Sequence, residues 1–201
     1  WYSQDSPLRL SYIYQVINEC VALDFADFFK VPLSETVREV SFTRNGEFKR
    51  FRMKEEKIKD FKPDVFRLFE EKVIRNINGL EEFNSIKYSC NIGIYDFNST
   101  IEIPSDIIQP NSVDMVVTSP PYGDSRTTVA YGQFSRWANE WFNFENAKTL
   151  DNLLMGGRVQ KEELFETKSI KSELDEIKSI DPKRNLEVVS FLNDYSCSIK
   201  N

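Results

Sequence analysis

Apolar residues recur three or four positions apart in the first part of the chain. Leu10, Ile13, Tyr14, Ile17 and Val21 share one helical face. Ser6-Pro7 ahead of them supplies a helix start, where proline's missing N–H costs nothing. The pattern stops before Val31-Pro32, and proline disfavours helical backbone in the residue preceding it, so a helix end is predicted there. Ser34, three residues before Val37, is placed to open a short helix beyond it. Ser41 to Phe51 reads as two short extended pieces around the turn Arg44-Asn45-Gly46-Glu47. Pro63-Asp64 then begins a long helix with Phe66, Phe69, Val73, Ile77 and Leu80 on one side.

The periodicity changes near Lys87. Ile92, Ile94 and the run Val113-Asp114-Met115-Val116-Val117 are short and β-branched, as buried strands of an α/β sheet tend to be. The second run leads into Thr118-Ser119-Pro120-Pro121-Tyr122, a predicted loop at the carboxyl end of a strand, the edge where open α/β sheets place ligands. Helical spacing resumes with Phe134, Trp137, Ala138, Trp141 and Phe142, and the two tryptophans read as core. A loop with Gly156-Gly157 follows. Two more helical stretches contain Leu164, Leu174 and Ile177, then Leu186, Val189, Leu192, Tyr195 and Ile199. Residues 151–181 hold eight acids against five bases and read as a solvated excursion. The expected organisation is α/β, with a mainly helical region over 1–86 and an α/β half over 87–201.

Composition narrows the chemistry. The 201 residues contain no His, which excludes an imidazole base, a Ser/His/Asp triad and a His-ligated metal; no metal site is expected. Cys20, Cys90 and Cys197 lie far apart and are odd in number, so they are expected to be buried, reduced thiols of a cytoplasmic protein. No apolar stretch approaches a membrane span. The formal charge of −6 argues against a general basic coat, yet Arg38 to Lys62 carries nine Lys and Arg against five Asp and Glu. Arg38, Arg44, Lys49, Arg50 and Arg52, interleaved with Phe42, Phe48 and Phe51, could follow a phosphate backbone; a solvated mixed-charge surface is the alternative.

Ser119-Pro120-Pro121-Tyr122 carries the most specific chemistry. Two consecutive prolines fix two φ angles and remove two N–H donors, leaving a stiff loop rich in acceptors. Such a loop suits an –NH₂ group. The exocyclic nitrogen of a nucleobase is a poor nucleophile, because its lone pair is delocalised into the ring. Acceptors at its two hydrogens, Ser119 Oγ and the Pro120 carbonyl, favour pyramidal geometry and localise that pair. The Tyr122 ring is placed to stack on a base turned out of the duplex.

Asp114-Met115-Val116-Val117-Thr118-Ser119-Pro120-Pro121-Tyr122 resembles the catalytic motif of SAM-dependent DNA amino-methyltransferases, which modify cytosine-N4 or adenine-N6. The resemblance continues from Gly123 to Arg136 and is similar there to a subset of bacterial modification methylases of restriction–modification systems. Val37 to Arg44, with Glu47-Phe48-Lys49, resembles the region preceding the catalytic half in that subset. The resemblance implies part of a Rossmann-like fold, SAM as cofactor and double-stranded DNA as partner. It also implies catalytic roles for Ser119, Pro120, Pro121 and Tyr122, and cofactor contacts for Asp96 and Thr118. Arg126 and Arg136 are candidates for phosphate contacts, with a surface ion pair as the alternative. Ser at the first motif position leans toward cytosine-N4.

The chain departs from that family in one respect. Its seven glycines form no Gly-x-Gly, so the Phe-x-Gly-x-Gly turn that lets the backbone approach SAM is absent. With Trp1 in place of an initiator Met, the expectation is a catalytic-motif half, completed by a complementary cofactor-binding chain or segment. The competing expectation is a non-catalytic DNA- or partner-binding module of the same fold; an RNA amino-methyltransferase is a third reading.

Overall fold

The computed structural model describes residues 1–47, 49–86, 89–119, 131–165 and 169–201. Seven α-helices follow in chain order among them: α1 (Ser6–Cys20), α2 (Leu23–Glu39), α3 (Glu55–Asp60), α4 (Val65–Ser85), α5 (Tyr131–Trp141), α6 (Lys171–Ile180) and α7 (Pro182–Lys200), with a 3₁₀ turn at Leu150–Asn152. The chain forms two compact units, one of Trp1–Cys90 with Gly132–Lys148, the other of Asn91–Tyr131 with Thr149–Asn201.

The first unit packs α1, α2 and α4 against one another. Leu10, Ile13 and Ile17 form the buried stripe of α1 and meet Ala26, Leu33, Val37 and Val40, with Val65 and Trp137 closing the cluster. Asp64 caps α4 by accepting from the Arg67 amide at 3.2 Å, so the predicted start at Pro63-Asp64 coincides with a capped helix end. Two ion pairs join α2 to α4, Glu35 with Arg75 at 2.6 Å and Glu39 with Lys72.

The predicted break at Val31-Pro32 is not observed; α2 runs through Pro32. A proline inside a helix removes one backbone hydrogen bond and costs about 3 kcal/mol. Here the Pro32 ring is fully buried, and Leu33 and Val37 on the same helix are wholly enclosed. Burial worth about 1.5–3 kcal/mol for each such side chain offsets that cost. Ser34 consequently lies mid-helix and donates back to the Val31 carbonyl at 2.6 Å.

The described residues between Ser41 and Phe51 follow the expected turn between extended pieces. Arg44 N donates to Phe51 O at 2.9 Å, Met53 N to Phe42 O at 2.7 Å, and an isolated antiparallel bridge joins Thr43 to Arg52. Helix α5 docks beside this hairpin. Trp137 is buried, its Nε1 donates to Thr43 Oγ1 at 3.0 Å, and its ring lies 5.3 Å from that of Trp1.

The second unit is organised by α6 and α7. Asp181 caps α7 at Arg184 N, and Asn185 Nδ2 donates to Leu174 O at 2.9 Å. The segment expected to be a solvated excursion is in part tied to α7. Asn193 accepts from Leu164 N and donates to Glu162 O, both at 2.7 Å, while Asp194 accepts from Gly156 N at 2.8 Å. These are backbone partners, invisible to a charge count. Leu164 lies outside any helix, which begins only at Lys171. Gly156 has φ +72°, the left-handed conformation that glycine tolerates.

The expected α/β, Rossmann-like fold is overturned: among the described residues there is no sheet, and the architecture is helical. Ile92, Ile94 and Val113–Val117 are not strands. Ile94 is 93 % and Val117 87 % exposed, so these runs meet neither a paired neighbour nor a helix layer. β-branched composition marks a segment that fits a pleated, half-buried surface, and forms no strand without a partner. The thiols also differ from expectation. Cys20 and Cys90 are exposed and Cys197 is half-buried, because none falls on the apolar stripe of a packed helix. No helix among the described residues is long and apolar enough to cross a membrane.

Candidate nucleic-acid interface and catalytic segment

The basic segment owes its geometry to the aromatic residues interleaved with it. Arg38, at the end of α2, is buried, and its two terminal nitrogens donate to the carbonyls of Phe134 (3.1 Å) and Glu47. Its guanidinium carbon lies 4.1 Å from the centre of the Phe134 ring. Arg50 stands 4.9 Å above the Trp137 ring, and its backbone N–H points at Gln133 Oε1, 3.5 Å away. Arg52 lies 5.3 Å from the Phe42 ring and 5.9 Å from Trp1, and pairs with Glu55 at 3.4 Å. Arg44 is exposed above Phe51, and Lys49 is half-buried. Arg136 pairs with Glu140 one turn further along α5, at 2.6 Å.

Burial, helped by the neighbouring Arg50 charge, lowers the Arg38 guanidinium from its ordinary value. An arginine retains its proton at neutral pH even so. Cation–π contacts are worth about 0.5–1 kcal/mol at exposed sites and about 2 when desolvated. The inner pair, Arg38 on Phe134 and Arg50 on Trp137, therefore locks α5 onto the basic segment. Burial also pushes the Tyr2 phenol above its ordinary range, and its hydroxyl approaches the Trp141 side chain without reaching hydrogen-bonding geometry.

The structure thus brings Arg38, Arg50 and Arg136 together through α5, with Arg44, Lys49 and Arg52 in the same unit. Asp96, Thr118 and Ser119 belong to the second unit, and all three are exposed. Pro120, Pro121, Tyr122 and Arg126 lie outside the described residues.

Several cavities lie in the first unit. One of about 370 Å³ is bounded by Glu35, Arg38, Asn45 and Phe134, and a neighbouring one of about 540 Å³ by Tyr14, Asn139, Phe142 and Phe144. A third, of about 520 Å³, is bounded by Ser3, Ser6, Arg9, Lys59 and Lys62. Sequence reasoning missed these, because each draws residues from elements far apart in the chain. The nearest signal was the presence of Lys59 and Lys62 in the basic run. None of the three cavities is lined by Asp96 or Thr118. Those two exposed side chains build no enclosed cradle for SAM, so no step is derived through it.

No family model and no solved structure matches the chain. Along its whole length it is similar to the Type II methyltransferase M.MvaI of Kocuria varians, with 39 % identity over 217 aligned residues. The chain covers 47 % of that protein, and so is similar throughout to about half of a Type II methyltransferase.

Proposed function

We propose that this chain is part of a DNA amino-methyltransferase that adds a methyl group to the exocyclic amine of a flipped base, most consistent with cytosine-N4. The observation that carries the reading is the 39 % identity, sustained from end to end, to a Type II methyltransferase. The sequence Thr118-Ser119-Pro120-Pro121-Tyr122 supports it by its chemistry. In this reading Ser119 Oγ and the Pro120 carbonyl accept the two amine hydrogens, Pro121 stiffens the loop and Tyr122 stacks on the base. SAM, when bound, would supply the methyl group. Arg44, Lys49, Arg52, Arg126 and Arg136 face DNA phosphates, while Arg38 and Arg50 brace the aromatic residues beneath them.

The test incubates the gene product containing this chain with duplex DNA and labelled SAM, then separates the nucleosides by mass. Labelled N4-methylcytosine is expected, and Ser119→Ala should abolish it without altering the circular dichroism. Undiminished methylation by Ser119→Ala would remove the assigned role. The missing Gly-x-Gly favours a second reading, a non-catalytic DNA- or partner-binding module. Calorimetry in which the complete gene product takes up no SAM would select it.

A further inference from the structure

Three cations from separate elements line one cavity. Arg9 projects from α1, Lys59 from α3 and Lys62 from the α3–α4 connection, around about 520 Å³ that also receives the Ser3 and Ser6 hydroxyls. The serine oxygens are 2.7 Å apart, and Ser6 is buried. Asp5 and Asp64 line the same space, so its formal balance is three positives against two negatives. The Asp64 carboxylate, however, already caps α4 through Arg67 N. Asp5 stands at the N-cap of α1 without making a side-chain cap, and Pro7 brings no N–H to the first turn.

The walls are informative as well. Phe42 and Phe61 meet edge to face at 6.2 Å and both line the cavity. The volume far exceeds the needs of a single tetrahedral anion and falls within the range of ligand sites. A charged, hydroxyl-bearing rim beside an aromatic wall matches a phosphate carrying a sugar and base, and matches a bare anion less well. Arg9 lies 5.8 Å from the centre of the Phe66 ring at the edge of this space, while Lys59 and Lys62 have no such ring contact among the described residues.

We infer that this cavity binds a phosphate of a nucleic-acid backbone, through Arg9, Lys59 and Lys62. The inference rests on the DNA reading above and locates one of its contacts.

The test measures anisotropy of a labelled DNA duplex titrated with the full chain across a salt series. Because each neutralised phosphate contributes a slope of about 0.9, Lys59→Gln/Lys62→Gln should reduce the salt slope by about one. Lys171→Gln/Lys178→Gln, an equal charge change on α6, should leave it unchanged. Arg9→Gln serves as an independent variant, with circular dichroism checking that each folds. In parallel, inorganic phosphate against chloride at matched ionic strength should shift the Leu8 and Arg9 amide resonances of the wild type, and not those of Lys59→Gln/Lys62→Gln. Duplex binding with an unaltered slope and no phosphate shifts overturns the cavity and keeps the DNA reading. Phosphate shifts in a chain that binds no duplex overturn the nucleic-acid assignment. A control variant as impaired as the test variant reduces the effect to net charge and also overturns the inference.

Discussion

Replacing Arg38 with methionine keeps an unbranched apolar stem and deletes the guanidinium. Two donors to the carbonyls of Phe134 and Glu47 disappear, together with the cation 4.1 Å from the Phe134 ring. Hydrogen bonds to charged groups contribute about 1.5–3 kcal/mol each, and the desolvated cation–π contact about 2. These contributions are not additive, because one guanidinium makes all of them and its own burial carries a desolvation cost. A net loss of about 3–4 kcal/mol is expected. Arg38→Lys, which keeps the charge and loses the fork, should cost about 2 kcal/mol. All three tryptophans, Trp1, Trp137 and Trp141, lie in the first unit, so their fluorescence during urea unfolding reports that unit. The midpoint should fall with an unchanged slope. A loss below about 1 kcal/mol for Arg38→Met would refute the account of this arginine as the clamp between α2 and α5.

Tyr2→Phe removes a buried hydroxyl that lacks a hydrogen-bond partner among the described residues, and should raise stability by about 1 kcal/mol in the same urea assay. Because burial raises the phenol's proton affinity in the folded state, the wild type is unaffected by its ionisation below about pH 10, the unfolded value, and loses further stability as pH rises above it. The Tyr2→Phe variant should show a smaller alkaline decline, measured by urea midpoints from pH 8 to 11. Asn193→Leu breaks the bonds to Leu164 N, Glu162 O and Gln160 Oε1 and should cost the second unit about 2–4 kcal/mol. Accelerated hydrogen exchange at the Leu164 amide, with the tryptophan signal unmoved, is the expected result.

The legible parts of this fold were those decided locally. Ser6-Pro7 and Pro63-Asp64 marked helix starts because capping and proline's fixed φ act within a turn. Helix α2 passing through Pro32 could not be read, because the compensation comes from burial against α1 and α4. Val113–Val117 carried strand propensity that the described chain leaves unpaired, and propensity does not report pairing. In the basic segment the charges were legible and their directions were not. Nothing in the spacing says that Phe134 lies beneath Arg38, or that Lys59 and Lys62 face Arg9 across a cavity. The catalytic sequence was the reverse case, since the acceptor chemistry of Ser119-Pro120 is a property of residue type.

The ladder between α2 and α4 constrains alignment more than it adds strength. Glu35 and Glu39 are four residues apart, about 6 Å along one helix, and Lys72 and Arg75 three apart, about 4.5 Å along the other. Rising numbers on α2 meet falling numbers on α4. Slippage by a single turn would face Glu39 with Arg75 and strand both Glu35 and Lys72. Each bond alone contributes little at a surface. As a vernier the two marks coincide at one setting, and that setting fixes which apolar side chains meet beneath them.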